Sequence, residues 1–292
     1  LSYLGRSVKV CNSKTICFVR ETIGSRTSLL RKIYRRWLNY FDLVFFISSY
    51  DQSEFSDLDT QSSILRNTYD SFGAVSKKSI DDSDLREMQP LKILYLGGDS
   101  VTKGYFNLLR VCRKLYSQET NFIAPRFQFT ICGSMDTGGA TAKGAIVKRI
   151  KSIMTKAIFP NIDEAIFQGW LNVVGEVESL VGQYRATDIV FLPIQKPHQQ
   201  RSIFEAGSEA RPVVVPKFEC LHESVEDGIS GFFYDHKDVY SAIQSFEKFA
   251  SDRTLIKKMG VSGKIRAEKN HSFKSYSARL LKRVNDLNSK LE

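Results

Sequence analysis

The run Gly97-Gly98-Asp99-Ser100, followed by Lys103, carries the residue types of a phosphate-binding turn. Glycines let the backbone approach a ligand closely, the start of a following helix favours anions, and Lys103 adds a mobile ammonium at the same end. A Gly-Gly turn with a lysine more often only reverses the chain, so the run needs support from elsewhere. A second run extends from Gln195 to Ser202 and continues as Phe204-Glu205-Ala206-Gly207. Ser202 reads as a helix cap, which would aim backbone amides outward. Glu205 lies near that helix start, where a carboxylate can accept two hydrogen bonds from a ribose diol. The plainer role for Glu205 is to stabilise the helix N-terminus, and the residues by themselves favour it.

Such runs act together only on a scaffold that gathers loop ends. From Leu91 onward, strand and helix patterns alternate. Leu91 to Leu96 predicts a buried strand closed by Gly97-Gly98, and a helix follows through Leu108, Leu109, Val111, Cys112 and Leu115. Phe127 to Cys132 predicts a strand closed by Gly133, and a basic helix begins near Lys143. Ala165 to Gln168 reads as a short strand ended by Gly169, and Glu176 to Arg185 as a helix with Val177, Leu180, Val181 and Tyr184 on one face. Asp188 to Pro193, Pro212 to Val215 and Phe232 to Tyr234 read as strands, Phe204 to Ala210 as a short helix, and Ser272 to Leu287 as the last helix. This alternation implies an α/β domain with a parallel sheet, and ligands of such sheets bind beyond the carboxyl ends of the strands.

Residues 1–90 read as part of a second α/β domain, with strands at Ile16 to Val19 and Leu43 to Ser48 and a helix from Thr27 to Tyr40. A third strand is expected to start at Ile64-Leu65 and end at Asn67, and the polar stretch Ser71 to Gln89 reads as a linker. Three strands are few for a doubly wound domain, so this half looks incomplete beside the domain at 91–292. The first residue is Leu1, and the chain is expected to begin inside a longer or processed protein.

Hydrophobic residues make up 42% and charged residues 25% of the 292, the balance of a globular chain. No apolar run approaches the ~20 residues needed to span a bilayer. The net charge of +10 is uneven. Arg26, Arg31, Lys32, Arg35 and Arg36 interleave with Tyr34, Trp37 and Tyr40, and Lys143, Lys148, Arg149, Lys151 and Lys156 form a second basic run. Two readings stay open: a solvated helix face, or a face that meets an anionic membrane. No RNA- or DNA-binding module accompanies the charge, so nucleic acid is not an expected partner. The five cysteines have no Cys-x-x-Cys spacing, which points to a reducing cytoplasm, with the basic helix allowing a peripheral place on the cytoplasmic membrane face. His222, His236 and His271 lack ligand spacing, so no metal and no cofactor is assigned; His198 lies in the loop after Pro193, where it could touch a ligand, though an exposed polar loop residue is the plainer reading. Gly138-Gly139 to Lys143-Gly144 fails the Walker spacing and reads as a flexible loop, and Cys132 as a small core hydrophobe.

Several blocks fall in one familiar order: Lys103-Gly104, Phe167-Gln168-Gly169, Ala186-Thr187-Asp188, Phe204-Glu205-Ala206, Arg211-Pro212-Val213-Val214, and Glu223 through Gly231. Together they resemble the C-terminal domain of family-four glycosyltransferases of the GT-B fold, over residues 91 to 287. Phe41-Asp42, Ile47-Ser48 and Ile64 to Asn67 resemble the end of that family's N-terminal domain, and the last helix, with Phe273 and Tyr276, the one that crosses back to it. The resemblance implies transfer of a sugar from a nucleotide diphosphate sugar to a saccharide or lipid-linked saccharide, without a required metal. It implies Lys103 on the diphosphate, Glu205 on the ribose, and helix-start amides near Ser202 and Ile203 on phosphate. Backbone near Gly133 and Leu171, just past two other strands, would by the same resemblance border the diphosphate and the base. Two positions depart from the pattern. Pro197 stands where the first glutamate of Glu-x7-Glu belongs, and Gly98 where an arginine belongs, with Arg201 a conjectural substitute for its charge. The alternative these departures favour is a catalytically impaired protein that still binds the nucleotide sugar.

Overall fold

The computed structural model describes residues 14–20, 28–69, 89–119, 125–135 and 142–289. A small parallel sheet comes first. Its strands β1 (Ile16–Val19), β2 (Leu43–Phe46) and β3 (Gln61–Ile64) lie in that order, with helices α1 (Ser28–Leu38) and α2 (Ser49–Ser53) between them. Strand β2, LVFF, is buried on both faces. Val44 and Phe46 pack against Leu38 and Phe55, while Leu43 and Phe45 turn to the other side, the alternation a pleated strand imposes.

The larger sheet has six strands, all parallel, in the order β6-β5-β4-β7-β8-β9: β4 (Leu91–Leu96), β5 (Phe127–Cys132), β6 (Leu171–Val173), β7 (Ile189–Phe191), β8 (Val213–Pro216) and β9 (Gly231–Tyr234). Helices cover both faces. On one, Leu91, Ile93 and Tyr95 meet α3 (Tyr105–Tyr116) and α8 (Val239–Ser251) around Phe129, Phe191, Phe246 and Phe249. On the other, Leu94 and Leu96 meet Ile203 and Ala206 of α7 (Arg201–Ser208) together with Val190, Val213 and Val215. Each fully buried side chain of this kind contributes roughly 1.5–3 kcal/mol, so the two-sided core fixes the strand ends that carry the loops. The remaining helices are α4 (Ala142–Ile158), α5 (Ile162–Phe167), α6 (Val181–Arg185), α9 (Thr254–His271) and α10 (Phe273–Asn288).

Helix α10 returns to the small sheet, where Leu287, Leu280 and Tyr276 pack with Leu43, Phe45 and Leu65. At the turn before it, the buried His271 stacks on Phe204, with ring centroids 4.1 Å apart, and its Nδ1 bonds to the Asn67 carbonyl at 2.8 Å. Burial pushes the His271 pKa from 6.5 to about 4. Unfolded, the ring takes up a proton below its ordinary pKa; folded, it stays neutral down to about 4. Its stability contribution is therefore complete above pH 6.5 and lost as the pH falls toward 4. The expected loss is up to ~3 kcal/mol. Urea unfolding at a series of pH values should show that slope, and His271→Gln should flatten it. An equal slope in both proteins would exclude His271 as its source.

Four sequence expectations change. Residues Ala165 to Gln168 are not a strand: they belong to α5, whose first turn holds Asp163 and Glu164, favourable charges at a helix N-terminus. Gly169, at φ +71°, ends that helix, and the strand starts only afterwards. The helix expected from Glu176 shrinks to α6, because Val177 and Leu180 pack on the core from non-helical chain. The third strand comes earlier than Ile64-Leu65 because β3 is an edge strand, and an edge accepts the polar Gln61, Ser62 and Ser63. Helix α7 begins at Arg201 with Gln200 as its N-cap, so Ser202 lies inside the first turn and does not cap it. Cys11, Arg26, the linker core and Gly138-Gly139 lie outside the described residues.

Candidate functional site

Strands β5 and β6 follow β4 to one side of the sheet, and β8 and β9 follow β7 to the other. The loops after β4 and β7 therefore diverge, and the crevice between them is the topological switch point where open α/β sheets bind ligands. On the β4 side, the amides of Gly97 and Gly98 both donate to the Cys132 carbonyl, at 3.0 and 3.1 Å, and Asp99 N donates to Ser134 O at 3.0 Å. Gly133, at φ +123°, donates to the Gly175 carbonyl at 2.7 Å, so the three loops after β4, β5 and β6 form one backbone shelf. Asp99 is buried and pairs with Lys151 of α4 at 3.1 Å, which tethers that helix to the shelf.

Gly98 adopts φ +53°, and a Cβ there would lie 2.6 Å from the Ser134 carbonyl carbon and closer still to its oxygen. The side chain missing from this position is thus excluded by the path of the neighbouring loop. Gly104, at φ +91°, precedes α3, and a Cβ on it would strike the Pro193 backbone. This contact joins the β4 loop to the β7 loop beside Lys103.

Lys103 is exposed at the crevice. Across from it, His198 bonds through Nδ1 to the Lys196 carbonyl at 2.8 Å and through Nε2 to Gln200. Burial lowers the His198 pKa, and the charge of Lys103 acts in the same direction. Lys103 and His198 belong to the two loops on either side of the switch point, which are joined where Gly104 meets Pro193.

Glu205 is buried, and both its oxygens hold partners: Tyr184 Oη donates to Oε2 at 2.9 Å, and Arg201 lies 2.6 Å from Oε1, one helical turn away. Arg201 is thus engaged with Glu205 rather than standing as a lone cation for a diphosphate. Tyr184, on α6, is the anchor that the sequence did not single out; its helical spacing marked it only as apolar. Gln200 offers no side-chain cap, so the first amides of α7 have no capping oxygen from it, but Ile203 N already donates to Gln200 O at 3.2 Å. The Ile203 side chain is buried in the core. Leu171 is also buried, and it opens β6 instead of following it; the residues past that strand are Val174 and Gly175. Among the described residues, no three His, Cys, Asp or Glu side chains cluster as metal ligands. Cys132 is buried, and burial raises its thiol pKa, as suits a core side chain.

Two parallel sheets with helices on both faces, a switch point in the second, and a last helix that crosses back to the first are the architecture of the GT-B fold. The family model for glycosyl transferases group 1 matches residues 76–266, and the chain belongs to that family. Comparison with curated proteins gave no match. Among solved structures, the chain is similar to sucrose-phosphate synthase from Thermosynechococcus elongatus, with TM-score 0.73 and 14% identity over 99% of this chain and 71% of that one. It is similar also to HepE from Anabaena in complex with UDP and glucose, with TM-score 0.74 and 14% identity over 97% and 74% of the two chains. A glycosyltransferase from Rickettsia africae gives TM-score 0.74 and 14% identity over 97% and 73%. These likenesses show the fold.

Proposed function

We propose that the crevice holds the nucleotide diphosphate of a sugar donor, and that a saccharide or lipid-linked saccharide acceptor enters between the two sheets. The observation that carries this reading is the joining of the Lys103 loop to the loop that leads into α7, where Gly104 meets Pro193 at the switch point. Departure of the nucleotide diphosphate develops negative charge. Lys103 and the amides of the α7 first turn, Ser202 foremost, stabilise that charge more than the ground state, which is what accelerates transfer. HepE is solved with UDP and glucose, which supports a nucleotide donor. Gly97, Gly98 and Gly133 supply the close backbone approach. In this reading a ribose diol shares the Glu205 carboxylate with Tyr184 and Arg201, since each of its oxygens keeps a second lone pair.

Calorimetry with nucleoside diphosphates tests the assignment. Lys103→Ala should weaken a diphosphate far more than a nucleoside, by the ~1.5–3 kcal/mol of a charge-assisted hydrogen bond. Glu205→Gln should weaken a ribonucleoside diphosphate but spare its dideoxy analogue. No diphosphate binding at millimolar ligand would remove the donor reading. Equal losses for both ligands in Glu205→Gln would assign that carboxylate to holding Tyr184 and Arg201 alone. Donor binding without turnover would leave the chain as a nucleotide-sugar-binding protein, the role Pro197 favours.

A peripheral position on the cytoplasmic face of a membrane belongs to the same proposal. Arg31 pairs with Glu54 at 3.1 Å and Arg35 with Asp57, so half of the basic cluster on α1 is internally neutralised. Lys32 and Arg36 stay exposed beside exposed Leu29, Leu30 and Ile33, a basic and apolar face suited to anionic lipid. Among the described residues no helix is long and apolar enough to cross a membrane. The chain should sediment with anionic vesicles, be released by salt, and lose binding on Ile33→Asp; equal binding of the variant would return the face to solvent.

A further inference from the structure

Between α10, α2 and the edge strand β3 lies a pocket of about 360 Å³ that shares no lining residue with the loops of the switch-point crevice. Its lining carries four cations, Arg66, Arg279, Lys282 and Arg283, with Ser62 and Ser63, and no carboxylate. A volume of this size is that of a small-molecule site, ~300–1,000 Å³. Arg279, Lys282 and Arg283 fall at i, i+3 and i+4 of α10, so one helix face delivers three of the charges.

The surroundings neutralise this charge only in part. Arg66 turns its Nε and Nη2 toward Glu223, outside the pocket, at 3.1 and 2.7 Å. Arg283 donates through Nε to Ser63 Oγ at 3.0 Å and has Asp286 3.7 Å from Nη1. Arg279 is held by the main-chain oxygens of Asn270 and Lys269, at 3.1 and 3.4 Å, which orient a guanidinium without cancelling it. Among the described residues, neither Arg279 nor Lys282 meets a carboxylate. Burial first, and then the field of Arg66, lowers the Arg279 pKa, so like charges have been brought together at a cost. Two oriented guanidinium groups, a mobile ammonium and two hydroxyls are donors of the kind that bind a phosphate, which guanidinium groups grip through paired N–H donors.

We propose that this pocket is a binding site for a phosphate monoester, held by Arg279, Lys282 and Arg283 of α10 against Ser62 of β3, at the seam between the two sheets. Such a ligand replaces the missing counter-charge and ties the crossing helix to the end of the small sheet. The site is separate from the donor crevice and stands or falls without it.

Calorimetry with inorganic phosphate and with glycerol phosphate tests the site, beside sedimentation with phosphatidylcholine vesicles containing phosphatidic acid. Binding of the soluble phosphates identifies a free ligand, and vesicle binding that persists in Ile33→Asp, which removes the α1 face, identifies a lipid headgroup; either supports the site when Lys282→Gln weakens it. Lys282→Gln, an exposed position whose change leaves the fold intact, should weaken the bound form roughly tenfold, the equivalent of one charge-assisted hydrogen bond. Lys103→Ala should leave it unchanged. Absence of binding to all three probes overturns the proposal. So does phosphate affinity that falls in Lys103→Ala and persists in Lys282→Gln, which would place the anion in the donor crevice.

Discussion

Gly98→Arg will abolish donor binding, although it restores the arginine that the family pattern has at this position. The reason is geometric. At φ +53° a residue with a Cβ costs ~1–2 kcal/mol in backbone strain alone. The Cβ would also overlap the Ser134 carbonyl, which accepts the Asp99 amide and so cannot withdraw without opening the shelf. The total expected loss of stability is ~3 kcal/mol or more, in the range of the most damaging single substitutions. Gly98→Ala carries the same Cβ without the charge and should lose nearly as much. Urea denaturation of both variants, beside calorimetry with a nucleoside diphosphate, separates shape from charge. Tighter binding by Gly98→Arg than by the parent would show that the loop yields, and that the position is an empty cation site.

The firmest parts of the sequence reading rested on side chains that are buried on both faces of a sheet. Phe127 to Cys132 and Leu91 to Leu96 were legible to the residue because both are mostly apolar, broken only by Lys92, Gln128 and Thr130, and each is closed by glycine. Gln61 to Ile64 was not, because an edge strand needs no such apolar run. The stretch around Ala165 misled for a related reason: Ala165-Ile166-Phe167 has the composition of a strand, yet Phe167 is exposed, and the pair Asp163-Glu164 with Gly169 marks the two ends of a short helix. Lys103, Gly98 and Glu205 could be singled out by order along the chain, but their partners could not. That the Lys103 loop meets the loop carrying His198 at Pro193, and that Tyr184 and Arg201 occupy Glu205, are consequences of which loops become neighbours at the switch point. The phosphate pocket had a signal in the spacing of Arg279, Lys282 and Arg283, which a reading of α10 as a crossing helix alone passes over.

Glu223 will prove the strongest single link between the two sheets. It lies in the Glu223 to Gly231 block, most of which shapes the loop before β9: Gly228 turns at φ +72°, Ser230 Oγ accepts from Glu226 N, and Asp227 accepts from Phe233 N. Glu223 instead reaches across. Its Oε1 accepts from the amide and hydroxyl of Ser49 and from Tyr50 N at 3.3 Å, the first turn of α2, and its Oε2 accepts the bidentate pair from Arg66. One carboxylate thus caps a helix of the small sheet and pairs with the residue that leads out of it. Burial by itself would raise the Glu223 pKa, but Ser49 and Arg66 outweigh it and hold the carboxyl below its usual range. The folded form therefore keeps its charge to lower pH than the unfolded chain, and the contribution is present near neutrality and lost as the pH drops below the ordinary glutamate pKa of 4.5. Side-chain exposures of 18% for Glu223 and 22% for Arg66 place the pair between surface and interior. Removing one partner of a fully buried pair costs ~3–5 kcal/mol, so partial exposure sets the expectation for Glu223→Ala at about 2–3 kcal/mol. Glu223→Gln, which keeps an acceptor for Ser49, should lose about half as much. Urea unfolding of Glu223→Ala, Arg66→Met and the double variant closes a cycle, and the coupling should exceed ~1 kcal/mol. A coupling near zero, with an acid slope unchanged from the parent, would reduce the contact to a surface ion pair and leave α10 and His271 to hold the sheets together.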